Sequence, residues 1–264
     1  MPPTYILPAS RQSLFLDLRW LDNEMDNSIG TATGFVLESE GAPYLITNRH
    51  VVTGLHQITG KVLSKRGVSP THIDVRHLAS SNPREFVVKR EPLYDGEAPR
   101  WIEHPRFADR ADLIALPLTD TEGAVLMAHS IALRPANQTA LLLPTVDVSV
   151  VGYPFGKMGG GGLAIWTRGI VASEPPLGYS DPDLGFDDLP VFLIDSRTRE
   201  GQSGSPVIVQ QVAGPVAMMD GSTAMLAGHT ELVGIYSGRI NDDSDIGMVW
   251  NLNAIRTLLS APTG

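Results

Sequence analysis

The sequence contains no cysteine. Small secreted β-proteins often depend on disulfides, so this absence fits a reducing compartment and predicts a cytoplasmic protein. Long apolar runs are missing as well, because no stretch approaches the roughly 18 apolar residues that a membrane-spanning helix needs. The N-terminal segment lacks the basic stretch and the apolar run of a secretion signal. We therefore expect no membrane partner.

Positive charge is scarce too. Lysine and arginine total 20 against 29 aspartate and glutamate residues, which gives a formal net charge of −9. Because no basic block offsets this excess, the composition argues against nucleic acid as a partner. The chain has 264 residues, of which 42% are hydrophobic and 19% charged. That is enough for one large globular domain or two small ones.

Turn-forming residues, in contrast, are abundant, with 26 glycines and 20 prolines. They bound short, β-branched apolar segments, several of which alternate between apolar and polar residues as half-buried strands do. The predicted strands are TATGFVLES, PYLITNRHVV, REFVVKRE, DLIALPL, DVSVVGYP, GLAIWTRGIVAS, VFLIDS, SPVIVQQV, ELVGIYSGRI and IGMVWNL. The pattern predicts an all-β barrel or sandwich.

Two segments have helical character. SRQSLFLDLRWLD, at residues 10–22, is either a helix or an opening strand. Residues 251–261 are predicted to form a helix that Asn251 or Asn253 caps. The apolar residues on one face of that helix are Leu252, Ile255, Leu258 and Leu259.

The polar segment 119–140 separates two strand-rich halves. We therefore predict one domain at residues 1–125 and a second at residues 126–264. The four consecutive glycines at 159–162 make the segment 155–162 either a mobile loop or a turn that the backbone dictates. The acidic segment 177–188 is predicted to be a surface loop.

Ser203 lies between glycines in the segment REGQSGSPVIV. Such a segment alone fits either a catalytic serine or a glycine-rich turn ahead of a strand. A serine hydroxyl becomes a useful nucleophile when a histidine accepts its proton and a carboxylate orients that histidine. His50 follows the apolar segment YLIT, and Asp112 directly precedes the apolar segment LIALPL. The chain order His50, Asp112, Ser203 is one of the three in which this triad recurs.

The glycine before Ser203 gains a meaning from this arrangement. The backbone N–H groups of Gly201 and Ser203 are predicted to form an oxyanion hole, whose backbone conformation a side chain at position 201 would disfavour. Each member of the triad has a neighbour of the same type that could be mistaken for it. These neighbours are His56, Asp109 and Ser205.

These motifs carry a family resemblance. GQSGSP, LITNRHVV and DLIAL resemble the three catalytic motifs of the chymotrypsin-like serine peptidases, and VVGYPFG, TRGIVAS and LVGIYSG resemble the cysteine-free bacterial Htr-type members. The resemblance implies an all-β fold of two antiparallel six-stranded Greek-key β-barrels. It further implies an active site in the cleft between the barrels and a C-terminal helix. His50 and Asp112 would then lie on the first barrel and Ser203 on the second.

The sequence departs from the family pattern at two positions. Gln202 stands where the digestive members carry the aspartate that pairs with their freed N-terminus, which implies that this activation switch is absent. Ser205 replaces the usual second glycine and thereby breaks the G-x-S-x-G motif of the α/β-hydrolases. That fold is excluded as well because it places its acid and histidine after the serine.

The resemblance also indicates which residues bind the substrate. The residues before the nucleophile and a later strand would wall the specificity pocket, and that strand would pair with an extended peptide. These residues are Arg197, Thr198, Arg199, Glu200, Tyr236, Ser237 and Gly238. Arg197 stands where trypsin-type enzymes hold an aspartate, so a preference for basic side chains is excluded by that mechanism. We expect Arg197 or Arg199 to favour an acidic or polar side chain, unless both face solvent or pair with Glu200 or Asp195.

Two functions fit these observations. The first is a trypsin-like serine endopeptidase that cleaves a protein or peptide through an acyl-enzyme. The second is a peptide-binding module with the same fold that is catalytically silent or waits for an activating partner protein. No cofactor or metal is expected for either, since the other histidines show no ligand spacing such as H-E-x-x-H.

Overall fold

A computed structural model describes residues 5–22, 25–80, 82, 84–241 and 243–260. Nine strands lie in its N-terminal half, all of them before the polar segment 119–140. They are β1 (Ser13–Asp22), β2 (Met25–Ser39), β3 (Ala42–Thr47), β4 (His72–Leu78), β5 (Phe86–Pro92), β6 (Tyr94–Asp95), β7 (Ala98–Pro99), β8 (Ile102–Glu103) and β9 (Ile114–Pro117). Seven of them form an antiparallel sheet in the order β5-β4-β1-β2-β3-β9-β8, and β6 pairs with β7.

Ten strands lie in the described part of the C-terminal half. They are β10 (Asp147–Gly152), β11 (Ile165–Val171), β12 (Tyr179–Asp181), β13 (Phe186–Leu189), β14 (Val191–Ser196), β15 (Pro206–Gln211), β16 (Gly214–Ala217), β17 (Thr223–Leu226), β18 (His229–Arg239) and β19 (Ile246–Asn251). Six of them close into a barrel in the order β10-β11-β14-β19-β18-β15. The predicted fold class is therefore confirmed, and the N-terminal sheet has seven strands where six were expected, because the two-residue β8 pairs with β9.

Among the described residues, three short α-helices accompany the strands, α1 (Ala9–Gln12), α2 (Arg49–Thr53) and α3 (Leu252–Leu259). The ambiguous segment 10–22 is mainly strand, because Leu14, Leu16 and Leu18 alternate and face the N-terminal core at a period of two. The C-terminal helix is confirmed, and the Asn251 side chain caps it by accepting the N–H of Ala254 at 3.1 Å. Its predicted end at residue 261 lies outside the described residues.

The core joins the two halves. One cluster of buried side chains combines Phe35 and Leu37 of β2 with Trp250 of β19 and Ile255 of α3. The four side chains are at most 3% exposed, so the two halves pack against each other without intervening solvent. A site that draws residues from both halves is therefore held on one packed body.

The segments between the strands differ in part from expectation. The glycine-rich segment 155–162 is a backbone-dictated turn, with positive φ at Gly156, Gly161 and Gly162. The acidic segment 177–188 is not only a surface loop, because β12 pairs with β13 there and Phe186 is buried in the shared core. Between β9 and β10 the chain makes single β-bridges, and the domain boundary at residues 125 and 126 stays a prediction.

Candidate active site

Two elements of the N-terminal half bring His50 and Asp112 together. His50 lies on α2, which begins two residues after β3 ends, and Asp112 lies two residues before β9. The strands β3 and β9 are neighbours in the sheet, so the end of one lies beside the start of the other. Asn48, fully buried between them, donates its side-chain N–H to the Asp112 carbonyl at 2.7 Å. The sequence reasoning did not single out this asparagine.

The carboxylate of Asp112 binds His50 twice. His50 Nδ1 lies 2.7 Å from Oδ2, and the backbone N–H of His50 donates to Oδ1 at 2.9 Å. Because Nδ1 faces a carboxylate, it carries the proton of the neutral ring, and Nε2 is left with a lone pair that can accept a proton. The His50 side chain is 18% exposed and that of Asp112 is 6% exposed, so the base reaches solvent and the acid is buried.

The pKa values of the pair move apart. Burial disfavours the charged form of His50, but the charge and hydrogen bond of Asp112 outweigh it and raise the pKa above 6.5. Burial works against the Asp112 carboxylate too, yet His50 and the hydrogen bonds of Ser237 and the His50 backbone lower its pKa below 3.8. The arrangement therefore favours an ionised Asp112 beside a histidine that gains a proton readily.

Ser203 comes from the C-terminal half and lies in the turn before β15. Gly201 and Gly204 adopt positive φ values of +87° and +83°, which L-residues rarely do. The Ser203 hydroxyl donates to the carbonyl oxygen of Ser237 at 3.4 Å, and among the described residues it has no hydrogen bond to His50. In structures without a substrate, the serine–histidine hydrogen bond is often long or misaligned.

Hydrogen bonds to two carbonyl groups of this turn fix the direction of two of its N–H groups. The Glu200 carbonyl accepts the N–H of Phe155 at 2.6 Å, and the Gln202 carbonyl accepts the N–H of Ser205 at 3.0 Å. A trans peptide directs its N–H opposite to its carbonyl, so these bonds orient the N–H groups of Gly201 and Ser203. Neither of those groups has an acceptor among the described residues. They are free to bind a substrate oxygen.

Position 201 also has no room for a side chain. A Cβ there would lie 2.5 Å from the carbonyl oxygen of Tyr153 and 3.1 Å from the backbone nitrogen of Gly156. The turn and the segment after β10 therefore approach each other closely at Gly201. This close contact is a second reason for glycine at position 201, in addition to the backbone conformation that the sequence analysis predicted.

Ser237 has a second role that the sequence reasoning missed. It was predicted only as a substrate contact, but its Oγ donates to Asp112 Oδ2 at 2.5 Å. The register between β18 and β19 shifts from Tyr236 to Gly238, so Ser237 lies at a β-bulge. Such a bulge turns a side chain away from the regular alternation. No signal in the residue types alone indicates this contact.

Two of the predicted substrate-binding residues contact each other. Tyr236 OH and Thr198 Oγ1 lie 2.5 Å apart, and both side chains are buried. The Tyr236 ring covers Gly247, where a Cβ would lie 2.5 Å from a ring carbon, and burial raises the pKa of Tyr236 to about 12. The contact links the segment before Ser203 to strand β18. Gly238, in contrast, borders open space.

The charged residues before the nucleophile lie at the surface. Arg197 and Glu200 are exposed. Arg199 donates to the carbonyl of Thr198 at 2.7 Å and pairs with Asp245 at 3.4 Å, rather than with the anticipated Glu200 or Asp195. The expected role of Arg197 or Arg199 in side-chain preference stays a prediction.

The two departures from the family pattern are both buried. The Gln202 side chain accepts the N–H of Arg199 and donates to Thr167 Oγ1, each at 2.8 Å. Its buried amide therefore links the turn before Ser203 to strand β11. Ser205 Oγ is fully enclosed and has no hydrogen-bond partner among the described residues. Within the described part of the chain, no group of three or more His, Asp or Glu residues lies close enough to hold a metal ion. None of the described helices has the length and apolarity to cross a membrane.

Comparisons with known proteins agree with this architecture. The family model of the trypsin-like peptidase domain matches residues 32–214. The chain therefore belongs to the trypsin-like peptidase family. No curated protein matches the sequence.

Solved protease structures share the fold at low identity. The inactive form of the Rv3671c protease of M. tuberculosis is 18% identical, with a TM-score of 0.51 over 96% of this chain and 89% of that one. The thermostable serine protease AL20 from an extremophilic microorganism is 13% identical, with a TM-score of 0.51 over 96% and 97% of the two chains. Together with the family, these likenesses support a serine protease.

Proposed function

We propose that the protein is a serine endopeptidase that hydrolyses peptide bonds through an acyl-enzyme on Ser203. The observation that carries the proposal is the contact of 2.7 Å between His50 Nδ1 and Asp112 Oδ2, together with a serine whose turn presents two N–H groups that have no acceptor among the described residues. A base, its orienting acid, a nucleophile and oxyanion donors are the components that acyl transfer requires. No cofactor takes part in the proposed reaction.

Each group has a defined task in the proposed reaction. His50 Nε2 takes the proton of the Ser203 hydroxyl as Oγ attacks the peptide carbonyl, and the carbonyl oxygen becomes an oxyanion that the N–H groups of Gly201 and Ser203 bind. The protonated His50, stabilised by Asp112, then gives its proton to the leaving amine. Water next attacks the acyl-enzyme, with His50 again as the base, and releases the acid product.

One observation favours the second candidate, a silent or partner-activated peptide-binding module. The Ser203 hydroxyl donates to the Ser237 carbonyl instead of to His50. In the endopeptidase, a rotation about the Cα–Cβ bond of Ser203 moves Oγ from that carbonyl toward His50. In the alternative, an activating partner protein would be needed for this step.

A fluorophosphonate probe separates the two candidates, because it phosphonylates only an activated serine. The endopeptidase predicts labelling at Ser203 in the protein alone, located by peptide mass spectrometry and abolished in Ser203→Ala and His50→Ala. The matched controls Ser205→Ala and His56→Ala should be labelled like the wild type. An unlabelled wild-type protein that still binds peptides would support the module instead.

The remaining features of the proposal come from the sequence. The substrate is a protein or peptide that binds along Arg197, Thr198, Arg199 and Glu200 and along Tyr236, Ser237 and Gly238. We place the enzyme in the bacterial cytoplasm, because the chain lacks cysteine and resembles the cysteine-free bacterial members. Fractionation of the source cells with an antibody against the protein tests the compartment.

A further inference from the structure

Thr33 of β2 contacts the turn around Ser203 from the opposite half of the molecule. Its backbone N–H donates to the carbonyl of Ser203 at 2.9 Å, and its Oγ1 donates to the carbonyl of Gly201 at 2.7 Å. The residue is fully buried, so water does not compete for either bond. One side chain of the N-terminal half therefore binds the turn that supplies the two free N–H groups.

The same hydroxyl also binds the segment after β10. Tyr153 donates its N–H to Thr33 Oγ1 at 3.1 Å, and Phe155, two residues later, donates to the Glu200 carbonyl at 2.6 Å. A hydroxyl has one proton to donate and lone pairs to accept with, and Thr33 uses both here. Through this one group the turn is tied to the segment that orients the peptide between Glu200 and Gly201.

The contact of Thr33 with β10 and with the turn at Gly201 depends on a close approach of the backbone segments. Gly152, the last residue of β10, lies so near that a Cβ on it would be 2.7 Å from Thr33 Oγ1. Gly201 itself has a positive φ of +87° and, as a glycine, few steric limits on rotation of its peptides. The Gly201–Gln202 peptide is held at its carbonyl by Thr33 and at the Gln202 N–H by the Arg199 carbonyl, 3.2 Å away. This peptide connects the two peptides that carry the free N–H groups of Gly201 and Ser203.

We infer that Thr33 is a positioning residue, whose hydroxyl fixes the Gly201 carbonyl and thereby the oxyanion donors of the turn; the inference rests on the proposed endopeptidase function. Thr33 does not touch the reacting atoms and acts through the Gly201 peptide. The hydroxyl is the active part, because the backbone N–H of residue 33 bonds Ser203 whichever side chain is present.

Thr33→Val tests the inference, since valine keeps the shape and the backbone bond and removes only the hydroxyl. We expect kcat on a peptide amide to fall about 10–100-fold, part of the loss of a whole oxyanion donor, with KM changed by less than about threefold. The inhibition constant of a peptide aldehyde, which adds to the serine and places an oxygen in the oxyanion hole, should rise by a similar factor. Thr33→Ser keeps the hydroxyl and should restore most of kcat.

The control is Ser13→Ala. Ser13 is also a buried residue of the N-terminal half, and its Oγ donates across the halves to the Val151 carbonyl at 2.8 Å without contacting the turn. It should keep the wild-type kcat and aldehyde affinity. The thermal unfolding midpoint of every variant is measured, and all kinetic assays are run below it, so that folded proteins are compared.

The outcomes separate this inference from the proposed function. A folded Thr33→Val with wild-type kcat and aldehyde affinity would overturn the positioning role and leave the endopeptidase intact. If the wild type itself is neither labelled nor active, the proposed function fails. A crystal structure of Thr33→Val then decides the positioning role, which a rotated Gly201 peptide supports and an unchanged one overturns.

Discussion

Ser237 Oγ lies 2.5 Å from Asp112 Oδ2, so a strand of the C-terminal barrel binds the acid that the N-terminal half supplies. This hydrogen bond favours the ionised carboxylate and lowers the pKa of Asp112 together with the His50 contacts. The same residue offers its carbonyl to the Ser203 hydroxyl at 3.4 Å. Ser237 thus contacts both the acid and the nucleophile of the proposed triad.

Removing this hydroxyl should weaken the proposed catalysis without abolishing it. Ser237→Ala loses one hydrogen bond to a charged group, typically about 1.5–3 kcal/mol, so we expect kcat/KM to fall by roughly 10- to 150-fold. Steady-state kinetics on a peptide amide measures the change. Ser205→Ala is the matched control, because its buried Oγ has no hydrogen-bond partner in the described part of the chain, and it should stay within a few-fold of the wild type. Equal activity of both variants would contradict the role of Ser237.

The pH profile should report the His50–Asp112 pair. The proposed base works when it is unprotonated, so kcat/KM should rise with pH through the pKa of His50, which lies above 6.5. Asp112→Asn removes the charge that raises this pKa. We therefore expect the rising limb to shift to lower pH while the maximum falls by about 10⁴, since asparagine also favours the wrong tautomer. Asp109→Asn is the control, and a rising limb that does not move in Asp112→Asn would contradict the assignment.

A methyl group at Gly201 should disrupt the oxyanion turn. Gly201→Ala must relieve a contact of 2.5 Å with the Tyr153 carbonyl and the strain of a positive φ, so we expect kcat to fall about 10²–10³-fold. Gly41→Ala is the control, because Gly41 has a similar φ of +80° but open space around it. Gly41→Ala should lose about 1–2 kcal/mol in the free energy of unfolding, from the strain of a side chain at positive φ, and should keep the wild-type kcat. Similar kcat values in the two variants would contradict the prediction.

The sequence predicted the elements better than the contacts between them. Alternating apolar residues, as in Leu14 and Leu16, indicated strands because burial on one face enforces a period of two. The contact of Ser237 with Asp112 depends instead on a β-bulge, which the residue types in β18 do not predict. The hydroxyl of Thr33 was equally hidden, since its partners are backbone groups far along the chain. The motifs pointed to His50, Asp112 and Ser203 because each has a local setting that can be read from neighbouring residues.

The proposed substrate pocket should accept small side chains. Thr198 and Tyr236 are buried and contact each other between the predicted substrate-binding segments, so we expect little room for a bulky residue before the scissile bond. In peptides that differ only at this residue, we expect alanine or serine to be preferred over phenylalanine and arginine by at least about tenfold. Preferred cleavage after aspartate would instead favour the role predicted for Arg197 or Arg199.

The substitution Tyr236→Val should widen the proposed substrate pocket. Tyr236→Val removes the ring and its hydrogen bond to Thr198, so cleavage after phenylalanine should increase relative to cleavage after alanine. Tyr44→Val, a change of the same size in β3 of the N-terminal sheet, is the control and should leave this ratio unchanged. An unaltered ratio in a folded Tyr236→Val would show that the substrate side chain lies elsewhere.

Buried histidine should make the fold sensitive to acid. His129 packs edge-on against Phe35 at 5.4 Å between ring centres. Its Nε2 has no hydrogen-bond partner within the described residues, and burial lowers the pKa of the ring to about 4. Between pH 6.5 and 4 the unfolded chain therefore binds a proton that the folded chain does not, and stability falls as the pH falls. From pH 7 to pH 5 this residue should cost about 2 kcal/mol of unfolding free energy. His129→Phe should remove that part of the pH dependence in urea titrations at both pH values, whereas replacement of the exposed His56 by asparagine should not. An equal loss of stability on acidification in wild type and His129→Phe would show that His129 does not carry it.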